Sequence, residues 1–390
     1  MTAEFDQTVA AALRAQLSAR LDETLALTRA LVETESPSGD LAGSRAVVTL
    51  LADAARNLPG VTTVEHIPAD NYGEHLRVHL YADDPRDTRT TLLVGHTDTV
   101  HPRGSLAARP WRESEGRIYG PGIFDMKANC ALALAALHAC AAVGLTPRRP
   151  LVLLLTCDEE AGSHTGRALV EAEAWRAAQV LVLEPSAPGG RVKTARKGTG
   201  MYALAVAGRA AHAGLDPEKG ASAVHELAHQ IERLCALADP GVGTTVNVGV
   251  VSGGTRSNVV AAEARAEIDV RFSTAAEAAR LDEAIKHLRP RDERTRLTVT
   301  GGINRPPLER TEAVARLYEH ARRLAAVLDY ELGETQVGGA SDGNFAAAVG
   351  AAVLDGLGVA GDGAHADHEH IVAADVVPRG ALLAALVATL

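Results

Sequence analysis

Apolar and polar positions change rhythm several times along this chain, and each rhythm predicts an element. The opening stretch, "MTAEFDQTVAAALRAQLSARLDETLALTRALVE", sets apolar residues at helical spacing among charges and predicts a pair of amphipathic helices. From about 60 to 185, short apolar runs alternate with helical patterns. "TTLLVG", ending at Gly95, "LVLLLT" (151–156) and "QVLVLE" (179–184) are continuously apolar and β-prone. Runs without alternation suit strands buried on both faces, in a sheet covered by helices on either side. Between the first two lies "MKANCALALAALHACAAVG", helical until its stop at Gly144. These marks predict an α/β architecture, a mostly parallel sheet flanked by helices.

The rhythm changes near 195. "GTGMYALAVAG", "ASAVHELAHQIERLCALA", "TTVNVGVVSGG", "EARAEIDVRF", "AAEAARLDEAIKHL" and "RLTVTGG" read β-α-β-β-α-β, the order of a ferredoxin-like unit complete in itself. After "NRPPLE" the α/β pattern returns and runs to a closing helix, "ALLAALVATL". The expected organisation is therefore a discontinuous domain, residues 1–195 and 309–390, interrupted by an inserted domain, 196–308.

Composition narrows the function classes. Of 390 residues, 46% are hydrophobic but only 3% aromatic, so the core must be built from Ala, Leu and Val. A net charge of −10 without a basic cluster argues against nucleic acid or an anionic membrane as partner. The N-terminus lacks the basic start and apolar block of a signal peptide. No run of 18 or more residues is continuously apolar and uncharged, so no membrane span is expected. Cys130, Cys140, Cys157 and Cys235 are scattered without C-x-x-C spacing. They read as buried free thiols of a reducing compartment, the cytoplasm by default.

Chemistry-bearing residues gather where the strands end, the place where open α/β sheets collect ligands. "TLLVGHTDTVHP" delivers His96 and Asp98; "LVLLLTCDEE" delivers Glu159 and Glu160; "VLVLEP" delivers Glu184. "GPGIFDMK" sets Asp125 at the start of the long helix, and "GAHADHEH" offers His365, His368 and His370 on a Gly-rich loop. Singly, each has an ordinary explanation: a satisfied loop histidine, a helix cap, a solvated acid pair. Together they would crowd like charges into one crevice, at a cost of several kcal/mol unless cations sit among them. Imidazole and carboxylate donors without cysteine suit zinc, with cobalt or manganese as substitutes. Two imidazoles and three acids exceed one tetrahedral ion, so a two-metal site with a bridging carboxylate fits better.

"GHTDTVHP", "GPGIFDMK", "DEEAGS", "LEPS", "GRAAHAG", "SNVV", "DVRF", "GGASDGNF" and "DGLGVAGDGAHADHE" occur in this order. The series resembles the successive motifs of one dizinc metallopeptidase family, that of glutamate carboxypeptidase, acetylornithine deacetylase, succinyl-diaminopimelate desuccinylase and aminoacylase. The "GGASDGNF" stretch is most similar to the glutamate carboxypeptidase-like branch. The resemblance implies that 196–308 is a lid through which homodimers form. It implies that His96 and Glu184 hold one zinc, Glu160 and His365 the other, and that Asp125 bridges them, followed by a cis peptide. His368 and His370 stay open as competitors of His365. Asp98 would orient His96. Glu159 would be the general base and His212, on the lid, the electrophilic donor, from its own subunit or its partner's. Asn258 and Arg271 would bind a substrate carboxylate, and Gly339 and Ser341 would line the substrate pocket.

The resemblance thus implies hydrolysis of an amide bond beside a free carboxylate, in a peptide or N-acyl amino acid. Alternatives are a deacylase of acetylornithine or succinyl-diaminopimelate type, an inactive dimeric scaffold, and a single-metal aminopeptidase-like enzyme.

Overall fold

The computed structural model describes residues 5–82 and 89–390, which fall into two compact units. The N-terminal reading from residue 1 lies outside the described residues for its first four positions.

The larger unit comprises the segments up to Thr194, Arg310–Val337 and Ser341–Leu390. Its helix pair is Gln7–Ala19 and Leu21–Glu33, the first capped by Asp6, which accepts from the Val9 amide at 2.9 Å. A six-stranded sheet runs Val61–Ala69, Gly73–Leu80, Leu151–Thr156, Thr90–His96, Ala177–Val182, Val353–Leu354 in spatial order. The last four strands are mutually parallel, and the first two form an antiparallel hairpin at one edge. Every residue of Leu151–Thr156, and all of Thr90–His96 but the first, is buried. That two-sided burial explains the unbroken apolar runs.

The helix Ala128–Ala142 packs between this sheet and the closing helix Val376–Thr389. Leu93, Leu134, Leu153, Leu155, Leu383 and Leu386 share one core cluster. Each fully buried leucine stabilises by about 1.5–3 kcal/mol relative to exposure. Counted from Ile123, the run to Ala142 is long and apolar enough to cross a membrane, yet 83% of it is buried inside the unit as a core helix. Three of the four free cysteines are buried as expected; Cys235 is exposed, because it falls on the outer side of an amphipathic helix.

A second, small sheet is built from Gly361–Asp362, His370–Val372, Arg117–Tyr119 and Arg112–Ser114. Its pairing of His370 with Tyr119 brings the C-terminal histidine loop beside the loop that leads to Asp125.

The inserted unit spans Ala195–Glu309 and takes in Gly338–Ala340. Its antiparallel sheet runs Thr245–Gly253, Glu263–Phe272, Gly198–Ala207, Arg296–Arg305, with the helices Ala223–Cys235 and Ala275–Lys286. This is the split βαβ order, each helix joining parallel strands that flank a third. Along Glu263–Phe272, Ala264, Ala266, Ile268, Val270 and Phe272 are buried, and Glu263, Arg265 and Glu267 are exposed. One face of this sheet packs on the helices through Leu204, Leu227, Ile268 and Ile285.

Candidate metal centre

Strand ends place the first donors. His96 closes its strand, and its Nε2 lies 3.2 Å from Asp125 Oδ1 and 3.4 Å from Glu184 Oε1. Its Nδ1–H donates to the main-chain oxygen of Asp98 at 3.0 Å, which leaves Nε2 free to act as a ligand. On the other side, His365 Nε2 lies 3.2 Å from Glu160 and 3.5 Å from Asp125 Oδ2. The two oxygens of Asp125 therefore face two different imidazoles. The peptide Asp125–Met126 is cis, and the helix proper begins only at Ala128. His365 adopts a left-handed backbone, φ +65°, an uncommon conformation for a non-glycine residue that recurs at functional sites.

The donor set fits divalent cations. His96, Asp125 and Glu160 each offer an atom within 4.8 Å of the others. Ligands about 2.0–2.1 Å from a tetrahedral zinc lie roughly 3.3 Å from one another, the spacing found here. Electrostatics points the same way. Burial works against charge on His96, but hydrogen bonds to Asp125, Asp98 and Glu184 outweigh it and raise its pKa well above the ordinary value. Hydrogen bonds to Asp125 and Glu160 push His365 up to about 10. Asp125 is held low despite burial because it sits between both imidazoles. Glu160 is raised, chiefly by burial, with the charge of Asp125 adding to it. The site draws positive charge to itself.

The loop "CDEEAGS" divides its three acids among different tasks. Asp158, fully buried, accepts from Thr165 N and Oγ1 and from Gly166 N, and so fixes the start of the helix Gly166–Arg176. Glu160 joins the imidazole cluster, and Glu159 is buried beside it in sequence. Asp98 sets the backbone of both: its carboxylate accepts from the amides of Glu159 and Glu160, each at 3.1 Å, and from Ser38 Oγ at 2.6 Å. Its Oδ1 is 3.5 Å from His96 Nδ1.

Of the three C-terminal histidines, His365 is the one that meets the acids. His370 turns inward against Tyr119 and donates to the His368 carbonyl. Ser341 is fully buried, its hydroxyl donating to Asp355 and accepting from Gly343 N, so it has no surface to offer a substrate. Gly339 belongs to the inserted unit, where its carbonyl accepts from Arg196.

The remaining candidates lie on the inserted unit. His212 is exposed, and its Nδ1 accepts from Gly214 N and Leu215 N, both at 3.1 Å. The proton of the neutral ring is then on Nε2, pointing away as a donor. Ala213 N donates to Asn258 O and His212 bridges to Val259, which keeps the two loop segments side by side. Arg271 already spends its fork on Asp269, with two contacts of 2.8 Å.

Sequence reading missed Glu369, His101, Ser38 and Lys193. Glu369 is buried against the Asp125 loop, and Lys193 Nζ lies 4.0 Å from Glu184. Glu369 stands in the run "GAHADHEH", but no residue there marks it as the acceptor of the "GPGIF" amides.

Comparison with known proteins adds four findings. The model described as Peptidase family M20/M25/M40 matches residues 92–389. The chain is 30% identical over 364 residues to carboxypeptidase G2 of Pseudomonas sp. (strain RS-16), covering 91% of this chain and 86% of that one. It is also 30% identical over 382 residues to succinyl-diaminopimelate desuccinylase of Delftia acidovorans, covering 92% and 95%. Among solved structures, aminopeptidase PepT of Bacillus cereus shares the fold at a TM-score of 0.76 and 21% identity, over 94% of this chain and 98% of that one.

Proposed function

This chain belongs to peptidase family M20/M25/M40 and is a metal-dependent hydrolase, and from that premise we propose that it cleaves an amide bond beside a free carboxylate. The substrate is a small peptide or an N-acyl amino acid. The observation that carries this reading is the Asp125 carboxylate shared between His96 and His365, the arrangement a dinuclear centre requires.

His96 and Glu184 would hold one zinc, Glu160 and His365 the second, with Asp125 between them; cobalt or manganese would substitute. When bound, such ions make a water acidic near neutral pH and polarise the amide carbonyl. Glu159 accepts the proton of the attacking water and then delivers it to the leaving nitrogen. His212 donates its Nε2–H to the carbonyl oxygen as negative charge develops there. Asn258 and Arg271 bind the substrate carboxylate, Arg271 by exchanging Asp269 for the substrate. The buried Ser341 has no part. We further place the enzyme in the cytoplasm, as a homodimer joined through the inserted unit; its free thiols suit a reducing compartment.

The second reading, a deacylase of acetylornithine or succinyl-diaminopimelate type, is favoured by the desuccinylase relative and uses the same groups. One assay separates them. Zinc-loaded protein is offered dipeptides ending in Glu or Asp, N-acetylornithine, N-acetylmethionine and N-succinyl-diaminopimelate, each with a chelator control. Chelator-sensitive turnover of the dipeptides supports the carboxypeptidase reading, and exclusive turnover of the diaminopimelate or ornithine substrate replaces it. Turnover indifferent to the chelator contradicts both.

A further inference from the structure

Glu369 has no place in the chemistry above, yet its carboxylate is among the most fully used in the molecule. Its side chain is 1% exposed. Oε1 accepts from the amides of Phe124 and Asp125 at 2.9 and 3.0 Å, and Oε2 accepts from Gly122 N at 2.7 Å. Gly122 presents that amide from a left-handed backbone, φ +70°, where a Cβ would strike Thr99. His101 completes the set, its Nε2 at 2.5 Å from Oε2. Arg109 Nη2 donates to His101 Nδ1 at 3.3 Å. Arginine can only donate, so His101 carries its proton on Nε2, aimed at Glu369.

Glu369 also lies four residues after His365, and Arg109 pairs with Asp367 in the same loop. One buried carboxylate therefore ties the loop that carries Asp125 to the loop that carries His365.

We propose that Glu369 is a positioning residue for the dinuclear centre: it fixes Asp125 opposite His365, and His101 with Arg109 holds it in place. This rests on the two-metal reading above. A carboxylate is needed because both of its oxygens face N–H donors. In Glu369→Gln, one of those donors would face an amide NH2. Partners that orient metal ligands typically contribute 10–100-fold to metal affinity or activity.

The test is cobalt titration of the metal-stripped chain, read by visible absorption and by kcat and KM at saturating metal. Wild type should take up two cobalt ions. Glu369→Gln should bind cobalt 10–100-fold more weakly, show an altered d–d spectrum and lose kcat with little change in KM. His101→Ala should shift in the same direction, and His101→Gln, which keeps a donor toward Glu369, should return toward wild type. Unchanged affinity and spectrum in Glu369→Gln, even with a lowered Tm, would overturn the proposal and leave a mere loop staple. Should Glu369→Gln fail to fold, a folded His101→Ala with wild-type affinity and spectrum overturns it equally. A wild type that binds no cobalt sinks the two-metal reading itself, a distinguishable failure.

Discussion

The two units handle charge in opposite ways. In the larger unit, Asp98, Asp158, Asp342, Asp355, Glu159, Glu184 and Glu369 are all buried. Their partners include backbone amides, hydroxyls and imidazoles near the strand ends, and Lys193 beside Glu184. In the inserted unit, most charges stay at the surface in close pairs such as Arg271–Asp269, Arg280–Glu277 and Lys286–Asp282. Glu226, Arg196 and Arg305 are buried exceptions, Glu226 accepting from the amides of Arg291 and Asp292. Burying a carboxylate is costly unless donors or cations surround it, and the acids that meet imidazoles at the strand ends, Asp125, Glu160 and Glu184, are the ones suited to cations.

Metal removal sharpens that contrast most. Chelation should abolish turnover and destabilise the larger unit alone, by about 4 kcal/mol if the metal had been present at a thousand times its Kd. Hydrogen exchange should show faster opening around Thr90–His96 and Leu151–Thr156, with no change in Gly198–Ala207. Equal acceleration in both units would break the comparison.

Next in size is His212→Ala. Loss of one donor to a developing oxyanion costs about 10²–10³ in kcat. Metal content should not change, because His212 belongs to the inserted unit. If a His212 variant mixed with a Glu159 variant regains activity, His212 acts across a dimer.

Arg271→Ala should raise KM for substrates with a free carboxylate by roughly tenfold, the weight of about 1.4 kcal/mol, and leave kcat near wild type. An equal rise for amidated substrates would remove Arg271 from recognition.

The smallest effect is acid-dependent. Hydrogen bonds from Arg280 and Thr244 lower Glu277 to about 2, from 4.5. Its contribution is present above 4.5 and lost as pH falls toward 2. For a partly exposed pair it amounts to less than about 1 kcal/mol. Glu277→Gln should therefore lower Tm at neutral pH, and by progressively less as pH falls through about 2.

The larger architecture was legible because burial leaves a mark on composition: strands covered on both faces must be apolar throughout, and the half-covered sheet must alternate. The hairpin Val61–Leu80 left a weaker mark, since "VTTVEHIPA" mixes exposed and half-buried positions. His96, Asp125, Glu160, Glu184 and His365 were nameable from strand ends and motifs. Glu369 and His101 were not: their partners are main-chain amides and each other, across 268 positions, and a backbone amide has no letter in a sequence. The three-residue strands Arg117–Tyr119 and His370–Val372, which bring these loops together, are too short and polar for a hydrophobic pattern. Ser341 shows the converse, a residue type suited to substrate whose hydroxyl is already taken within the fold.

The central claim is that two adjacent acids in one loop do different work, Glu160 as a ligand and Glu159 as the base. Metal titration of Glu159→Gln and Glu160→Gln, side by side with wild type, tests it most directly. Glu159→Gln should bind two zinc ions with wild-type affinity and turn over at least 10²-fold more slowly. Glu160→Gln should lose one of the two. If Glu159→Gln is the variant that loses zinc, the roles are reversed and the account is wrong at its centre.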